Sequence, residues 1–238
     1  MQKPNILLLD IETAPTIAYV WTLFDENISV DQIIQPTRTL CWASKWFGKK
    51  GVDFYAEWKD GREEMLGQIW RRLEEADAVV TYNGDKFDLP KLMGEFATIG
   101  FGNPGPTTSI DLYKTARNLG LPSSKLQFVA PHLGIGEKVK NEGFRLWAKV
   151  LDGDPKAQAD MERYNRQDTV LLEKLYKALR PFIKNHPYLG TGRVSSCPAC
   201  GSPRVQRRGI RRTKSFIIER LHCQACGAWG DGSRSKVK

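Results

Sequence analysis

The sequence predicts an α/β body with a mixed sheet flanked by helices, followed by a small module built on four cysteines. Strand-like segments come first, then alternate with helical ones and finally give way to them, the order expected of a mixed sheet covered by helices. Two Cys-x-x-Cys pairs stand near the C-terminus, and the net charge of +9 is concentrated around them. The chain therefore divides into a body over residues 1–185, a linker over 186–196, and the cysteine module with its basic tail over 197–238.

The four aliphatic residues Ile6, Leu7, Leu8 and Leu9, bounded by Pro4-Asn5 and Pro15, form a short strand buried on both faces and ended by Asp10 and Glu12. Residues 17–24, 39–47 and 52–58 are rich in β-branched and aromatic side chains and are expected to join it in one sheet. Over 61–75, Met65, Leu66, Ile69, Trp70 and Leu73 recur at helical spacing. Residues 78–82 are a short strand running into the turn Asn83-Gly84. Residues 89–99 are a helix opened by Pro90, with Asp88 at or near its cap. A loop over 100–106, a strand over 107–111 and a short helix over 112–119 follow. Helices are expected over 123–133, 144–151 and 155–183, and Pro187, Gly190 and Gly192 mark the linker. There is no internal repeat and no low-complexity tract.

With 238 residues, 41% of them hydrophobic and seven of them Trp, the chain can bury a full core. Only a four-residue apolar run precedes Asp10, too short for a signal-peptide core or a membrane span, so a cytoplasmic, reducing location is expected and no membrane partner. Residues 186–238 hold 11 Lys and Arg against Glu219 and Asp231, whereas the first 185 residues carry 25 basic and 25 acidic groups. A basic segment appended to a neutral body points to a polyanion, and to nucleic acid rather than membrane because no apolar amphipathic face accompanies the charge.

A strand turns alternate side chains to opposite faces, so Asp10 and Glu12 share one face while Ile11 points to the other. Two acids side by side at the end of a buried strand either lie in a solvated loop or are held by a hard cation such as magnesium. In the long helix, Met161, Tyr164, Asp168, Leu171, Leu172, Leu175 and Leu179 follow a single apolar stripe in which Asp168 is the one charge. An ionised carboxylate there requires a metal or an arginine from elsewhere. Tyr164 lies one turn before Asp168 and brings a phenol to the same face, or simply packs there. Asp88 is either a helix cap or a further ligand.

Taken in order, Asp10-Ile11-Glu12-Thr13, then Tyr82-Asn83-Gly84-Asp85-Lys86-Phe87-Asp88-Leu89-Pro90, then Tyr164-Asn165-Arg166-Gln167-Asp168, resemble the three exonuclease motifs of the DEDD superfamily. That superfamily has the ribonuclease-H-like fold of 3′–5′ proofreading exonucleases, and the middle motif is most similar to that of family B DNA polymerases. Arg163 stands where the histidine subclass has His, so the chain resembles the tyrosine (DEDDy) subclass. Leu133-Gly134-Ile135-Gly136 followed by Lys138, and Trp147 through Gly153-Asp154, also resemble stand-alone members. The resemblance covers about the first 185 residues and implies hydrolysis of terminal phosphodiesters, with DNA favoured over RNA and single-stranded ends as substrate. It further implies two Mg2+ or Mn2+ ions on Asp10, Glu12, Asp88 and Asp168, and a water-orienting role for Tyr164. The backbone around Thr13 and the amide of Asn83 would hold the terminal nucleotide. No polymerase follows in the chain, so a polymerase or other replication or repair protein would be a partner in trans.

Cys197-Pro198-Ala199-Cys200-Gly201 and Cys223-Gln224-Ala225-Cys226-Gly227 are two similar knuckles whose four thiolates suit one tetrahedral Zn2+. Glycine after each second cysteine permits a left-handed turn. Cys41, in an apolar run, is a small buried hydrophobe. Between the knuckles a hairpin is expected, with a strongly basic loop or face. Arg207, Arg208, Arg211 and Arg212 would grip phosphates there, and Trp229 would stack on a base. The alternatives to an exonuclease are a non-catalytic module that binds nucleic-acid ends and a structure-specific endonuclease on the same fold.

Overall fold

The computed structural model describes residues 4–106, 108–139, 141–184, 186–190 and 196–237. The body runs β1 (Ile6–Thr13), β2 (Ile17–Ala18), β3 (Ile33–Gln35), β4 (Thr39–Trp46), β5 (Asp53–Ala56), α1 (Glu57–Asp60), α2 (Arg62–Glu75) and β6 (Ala78–Thr81). It continues with α3 (Asp88–Ile99), β7 (Ser109–Asp111), α4 (Leu112–Arg117), α5 (Leu126–His132), α6 (Phe144–Leu151) and α7 (Pro155–Leu179). Five strands form one mixed sheet in the order β5-β4-β1-β6-β7, with β1 antiparallel to β4 and parallel to β6.

Strand β1 is central, and its alternation sets the two layers. Leu7, Leu9 and Ile11 pack with Met65, Leu66 and Ile69 of α2 and with Leu92 and Phe96 of α3. Ile6 and Leu8 pack on the opposite side with Leu172, Leu175, Tyr176 and Leu179 of α7. Asp154 caps α7 by accepting the Lys156 and Ala157 N–H groups ahead of Pro155, and Thr169 Oγ1 donates to the Ala43 carbonyl at 3.2 Å. The helix is thereby pinned across β1 and β4 on the face toward which Asp10 and Glu12 continue.

Residues 17–24 do not join the main sheet. Both edges of β1 are occupied by β4 and β6, and Ile17–Ala18 pair only with Ile33–Gln35 in a separate two-stranded ribbon. Beyond it the chain turns on Glu26, whose carboxylate accepts the N–H groups of Trp21 and Thr22 and the Gln32 amide at 2.9–3.1 Å. The polar groups of this arm face inward and its apolar side chains face out, Trp21 being 92% exposed. The strand expected over 52–58 ends at Ala56, because the Asp60 carboxylate accepts the Ala56 N–H and starts the helical turn α1. The helix expected over 123–133 is shorter, Leu126–His132, and the long helix passes at Arg180–Phe182 into a 3-10 turn containing Pro181. Residue 107 of one expected strand, residues 185 and 191–195 around the linker, residue 140, and the terminal residues 1–3 and 238 lie outside the described residues.

Between the knuckles β8 (Val205–Arg212) and β9 (Phe216–Cys223) pair as the expected antiparallel hairpin, and β10 (Trp229–Lys236) adds a third strand, in the order β10-β9-β8. The third strand comprises most of the stretch expected to be a basic tail. No helix among the described residues is long and apolar enough to cross a membrane.

Candidate active site and cysteine centre

Strand β1 and helix α7 together assemble the acids. Ligand oxygens of Asp10, Glu12 and Asp168 lie within 4.8 Å of one another. Asp88 stands outside this tight group. It is the first residue of α3 rather than its cap, a position Phe87 holds, and its Oδ1 accepts the Ile11 N–H at 3.1 Å, tying α3 to β1 between the two strand acids. Tyr164, buried on the same face of α7 as Asp168, meets Trp147 edge-on with ring centroids 6.2 Å apart.

Burial and mutual repulsion dominate the electrostatics. Burial, then the charges of Glu12, Asp88 and Asp168, raise the Asp10 pKa well above the usual carboxylate range. Burial pushes Glu12 up to about 8, opposed by Lys138, and pushes Asp88 up to about 7, opposed by its bond from Ile11. Asp168 is raised by burial and partly held down by Lys138. Its partner is thus a lysine, not an arginine: Lys138 Nζ lies 2.9 Å from Asp168 Oδ2 and 4.9 Å from the centre of the Tyr164 ring. Asp168 Oδ1 is buried with no hydrogen-bond partner among the described residues. One ammonium cannot balance this many carboxylates, and the oxygen-only donor set is the kind that hard divalent cations take. The residues fit such ions.

Lys138 and Asn165 are absent from the sequence-based set of site residues. Asn165 is fully buried and donates from Nδ2 to Asp10 Oδ2 at 2.6 Å and to the Asp10 carbonyl at 3.2 Å. The backbone carbonyl only accepts, so the amide has one orientation. A polar amide three residues before Asp168 on a buried stripe was the available signal. Asp111 is a third omission: it is buried at the end of β7 and accepts the N–H groups of Asn83 at 2.7 Å and Tyr113 at 3.0 Å. It holds Asn83 in a left-handed conformation with φ 71°, followed by Gly84, where a Cβ would overlap Thr81. Asn83 lines a small basic cavity with Lys86, Lys114 and Arg117. Thr13 closes β1, where a register shift separates it from Glu12.

In the C-terminal module all four cysteine sulfurs lie within 4.8 Å of one another, with Cys197–Cys226 at 3.8 Å and Cys200–Cys223 at 3.7 Å. A tetrahedron with metal–sulfur bonds of about 2.3 Å has edges of about 3.8 Å, so the set fits zinc. Gly201 and Gly227 adopt φ of 71° and 73°, and the Ala225 N–H donates to Cys223 Sγ at 3.3 Å. Burial lifts Cys197 to about 11, whereas hydrogen bonds from Ala225 and Cys226 outweigh burial and lower Cys223. Arg207, Arg208, Arg211 and Arg212 are exposed on β8, but Arg207 pairs with Glu219 at 3.5 Å and Arg211 with Asp231. Trp229 is about half exposed and packs against His222 and the Arg220 guanidinium.

A family model for the RNase H superfamily matches residues 36–180, more than half of the chain. The chain belongs to the RNase H superfamily. The family B DNA polymerase from the hyperthermophilic archaeon Pyrobaculum calidifontis is similar in structure to this RNase H-superfamily protein, with a TM-score of 0.57 at 16% identity. The similarity covers 76% of this chain and 25% of the polymerase, so the chain spans about a quarter of that protein's length. No curated protein matches the sequence.

The raised pKa values of Glu12 and Asp88 make the unliganded site sensitive to pH. In the metal-free folded protein these acids hold protons that the unfolded chain has released. Their contribution is full below about pH 4 and is lost as pH rises through about 7 to 8. A divalent ion relieves that loss. The rise in Tm produced by Mn2+ should therefore grow between about pH 5 and pH 8; a rise independent of pH would show that the acids are already ionised. Asn165→Ala should weaken Mn2+ binding on the order of 10- to 100-fold, as measured by calorimetry, with Tm lowered only modestly. Unchanged affinity would show that Asp10 needs no such support.

Proposed function

We propose that the chain is a metal-dependent 3′–5′ exonuclease of the DEDDy type, hydrolysing terminal phosphodiesters at single-stranded ends, with DNA favoured over RNA. The observation that supports it most is the convergence of Asp10, Glu12 and Asp168 within 4.8 Å, with Asp88 joined to the same strand. A protein that merely bound polyanions would gain nothing from such a concentration of negative charge. These four acids would hold two Mg2+ or Mn2+ ions, which when bound lower the pKa of a water and stabilise a leaving 3′ oxygen.

The chain's own residues have distinct tasks. Burial, then Asp168 and Glu12, raise the Tyr164 pKa, so the phenol keeps its proton at neutral pH and orients a water by donating to it or accepting from it. Asn165 keeps Asp10 aimed into the cluster. Lys138 balances part of the charge of Asp168. Thr13 and Asn83 would contact the terminal nucleotide, as in the exonuclease pattern.

Residues 1–185 would be the catalytic body, 186–196 the linker and 197–238 a zinc ribbon that grips the strand. Arg208 and Arg212 would carry more of that grip than Arg207 and Arg211, which are already paired, and Trp229 would offer its uncovered face to a base. A reducing cytosol suits four thiolates held by one Zn2+. The structural similarity to a quarter of a family B DNA polymerase is the reason to look for a polymerase or another replication or repair protein as a partner in trans.

A 5′-labelled single-stranded DNA and its RNA counterpart, incubated with Mg2+, Mn2+ or EDTA, should yield a metal-dependent ladder of shortening products that Asp10→Ala abolishes. Internal cuts would indicate an endonuclease, and binding without cleavage a non-catalytic module. Removing zinc from the purified protein with a strong chelator should unfold the module, seen as fast amide exchange over residues 197–237 with the body still protected. Exchange that stays slow after metal removal would contradict the zinc assignment.

A further inference from the structure

Arg180, the first residue after α7, carries a buried charge for which the body provides no anion. Only 7% of it is exposed, and its Nε and Nη2 have no hydrogen-bond partner among the described residues. Phe47 and Tyr176 cover the guanidinium at 4.7 and 4.4 Å. Aromatic faces attract a cation, but by less than it costs to take one out of water. The carboxylates on the two cavities that Arg180 lines are paired or in solvent: Asp231 is held by Arg211, and Glu75 is exposed.

What the guanidinium does adjoin is the cysteine centre. It shares the wall of one cavity with Ala199 and Cys200, and that of another with Pro198 and Ala199, so the first knuckle lies against it. Pro181, the next residue, meets the second knuckle, where a Cβ on Gly227 would stand 3.1 Å from the proline Cγ. Sulfur charge also reaches the ring beneath Arg180. Burial raises the Tyr176 pKa to about 12, Arg180 opposes the rise, and the charges of Cys226 and Cys200 add to it. Four thiols are neutral, whereas four thiolates around one Zn2+ leave two net negative charges.

Resting on the zinc reading of the cysteine centre, we propose that Arg180 is the counter-charge of the loaded centre, so that zinc binding and docking of the module on the body stabilise each other. With the centre empty, docking buries a guanidinium beside neutral thiols and is disfavoured. With zinc bound, the module presents a dianion across dry packing, where opposite charges attract over several ångströms without touching. The coupling is reciprocal: the factor that loading adds to docking is the factor that docking adds to zinc affinity. Arg180 follows Asp168 along the same helix by about 18 Å, at about 1.5 Å per residue. Zinc loading therefore also fixes where the arginines of β8 stand relative to the acids.

The test is a competition titration of the full-length protein. Co2+ bound by cysteines gives sulfur-to-metal charge-transfer bands that a carboxylate site does not, so displacement of Co2+ by Zn2+ reads the affinity of this centre alone. Arg180→Met, which loses the charge, should weaken Zn2+ on the order of 10-fold, and Arg180→Lys should recover most of the loss. Cys226→His removes one negative charge from the loaded centre, so Arg180→Met should cost less in that background. In the loaded protein Arg180→Met should also speed amide exchange at Leu189, whose N–H donates to the Pro198 carbonyl, while the amides of β9 stay protected. Equal zinc affinity in wild type and Arg180→Met overturns the proposal, and so does an equal loss in both backgrounds, which marks Arg180 as packing. Should the Met variant not fold, Arg180→Gln repeats the titration; failure of both to fold at saturating Zn2+ assigns Arg180 to the stability of the body and overturns the proposal as well. A wild type without charge-transfer bands overturns the zinc reading and the proposal with it, and leaves the exonuclease reading standing.

Discussion

Mutual repulsion among buried carboxylates is the constraint on which the rest of this molecule depends. Asp10 and Glu12 end the central strand of the sheet, and Asp168 faces them from the long helix α7. Together with Asp88 they would be expensive to keep ionised without a counter-charge. Lys138 supplies one positive charge, the Ile11 N–H one hydrogen bond and Asn165 a second. What remains is uncompensated negative charge on an oxygen-only donor set, which divalent cations would fit.

The sheet order follows from the need to hold those acids rigidly. A central strand has neighbours on both edges, so β1 cannot shift register without exposing its core residues. Its odd-numbered side chains are fixed by α2 and α3, and its even-numbered ones by α7. An error in the placement of α7 would move Asp168 and Asn165 together, since they lie one turn apart. The Thr169 bond to Ala43 and the Asp154 cap restrain that helix along its length.

The cysteine module stands against the end of the body through a different chemistry. Arg180 is buried with its guanidinium over the rings of Phe47 and Tyr176, at 4.7 and 4.4 Å, and Tyr176 Oη bonds His186 Nε2 at 2.7 Å. The Leu189 N–H donates to the Pro198 carbonyl at 2.7 Å, and Gly227 leaves just enough room for Pro181. The module's own buried cluster consists mostly of its cysteines and two alanines. So small a core needs a staple to stay folded.

Local periodicity was enough to determine several features from the sequence itself. The alternation of β1 put Asp10 and Glu12 on one face, the helical stripe put Tyr164 and Asp168 on another, and the two Cys-x-x-Cys-Gly knuckles implied a four-sulfur site with left-handed glycines. Each depends only on spacing along one element, which the chain carries explicitly. Tertiary structure decided what depends on contacts between distant segments. It made Lys138 rather than an arginine the partner of Asp168, turned Asn165 onto Asp10 across 155 residues, and buried Asp111 beneath Asn83. It also denied residues 17–24 a place in the sheet, although their composition is that of a strand, because both edges of β1 were already paired. Propensity describes what a segment can form, and the competition for a partner that settles the outcome is absent from the segment itself.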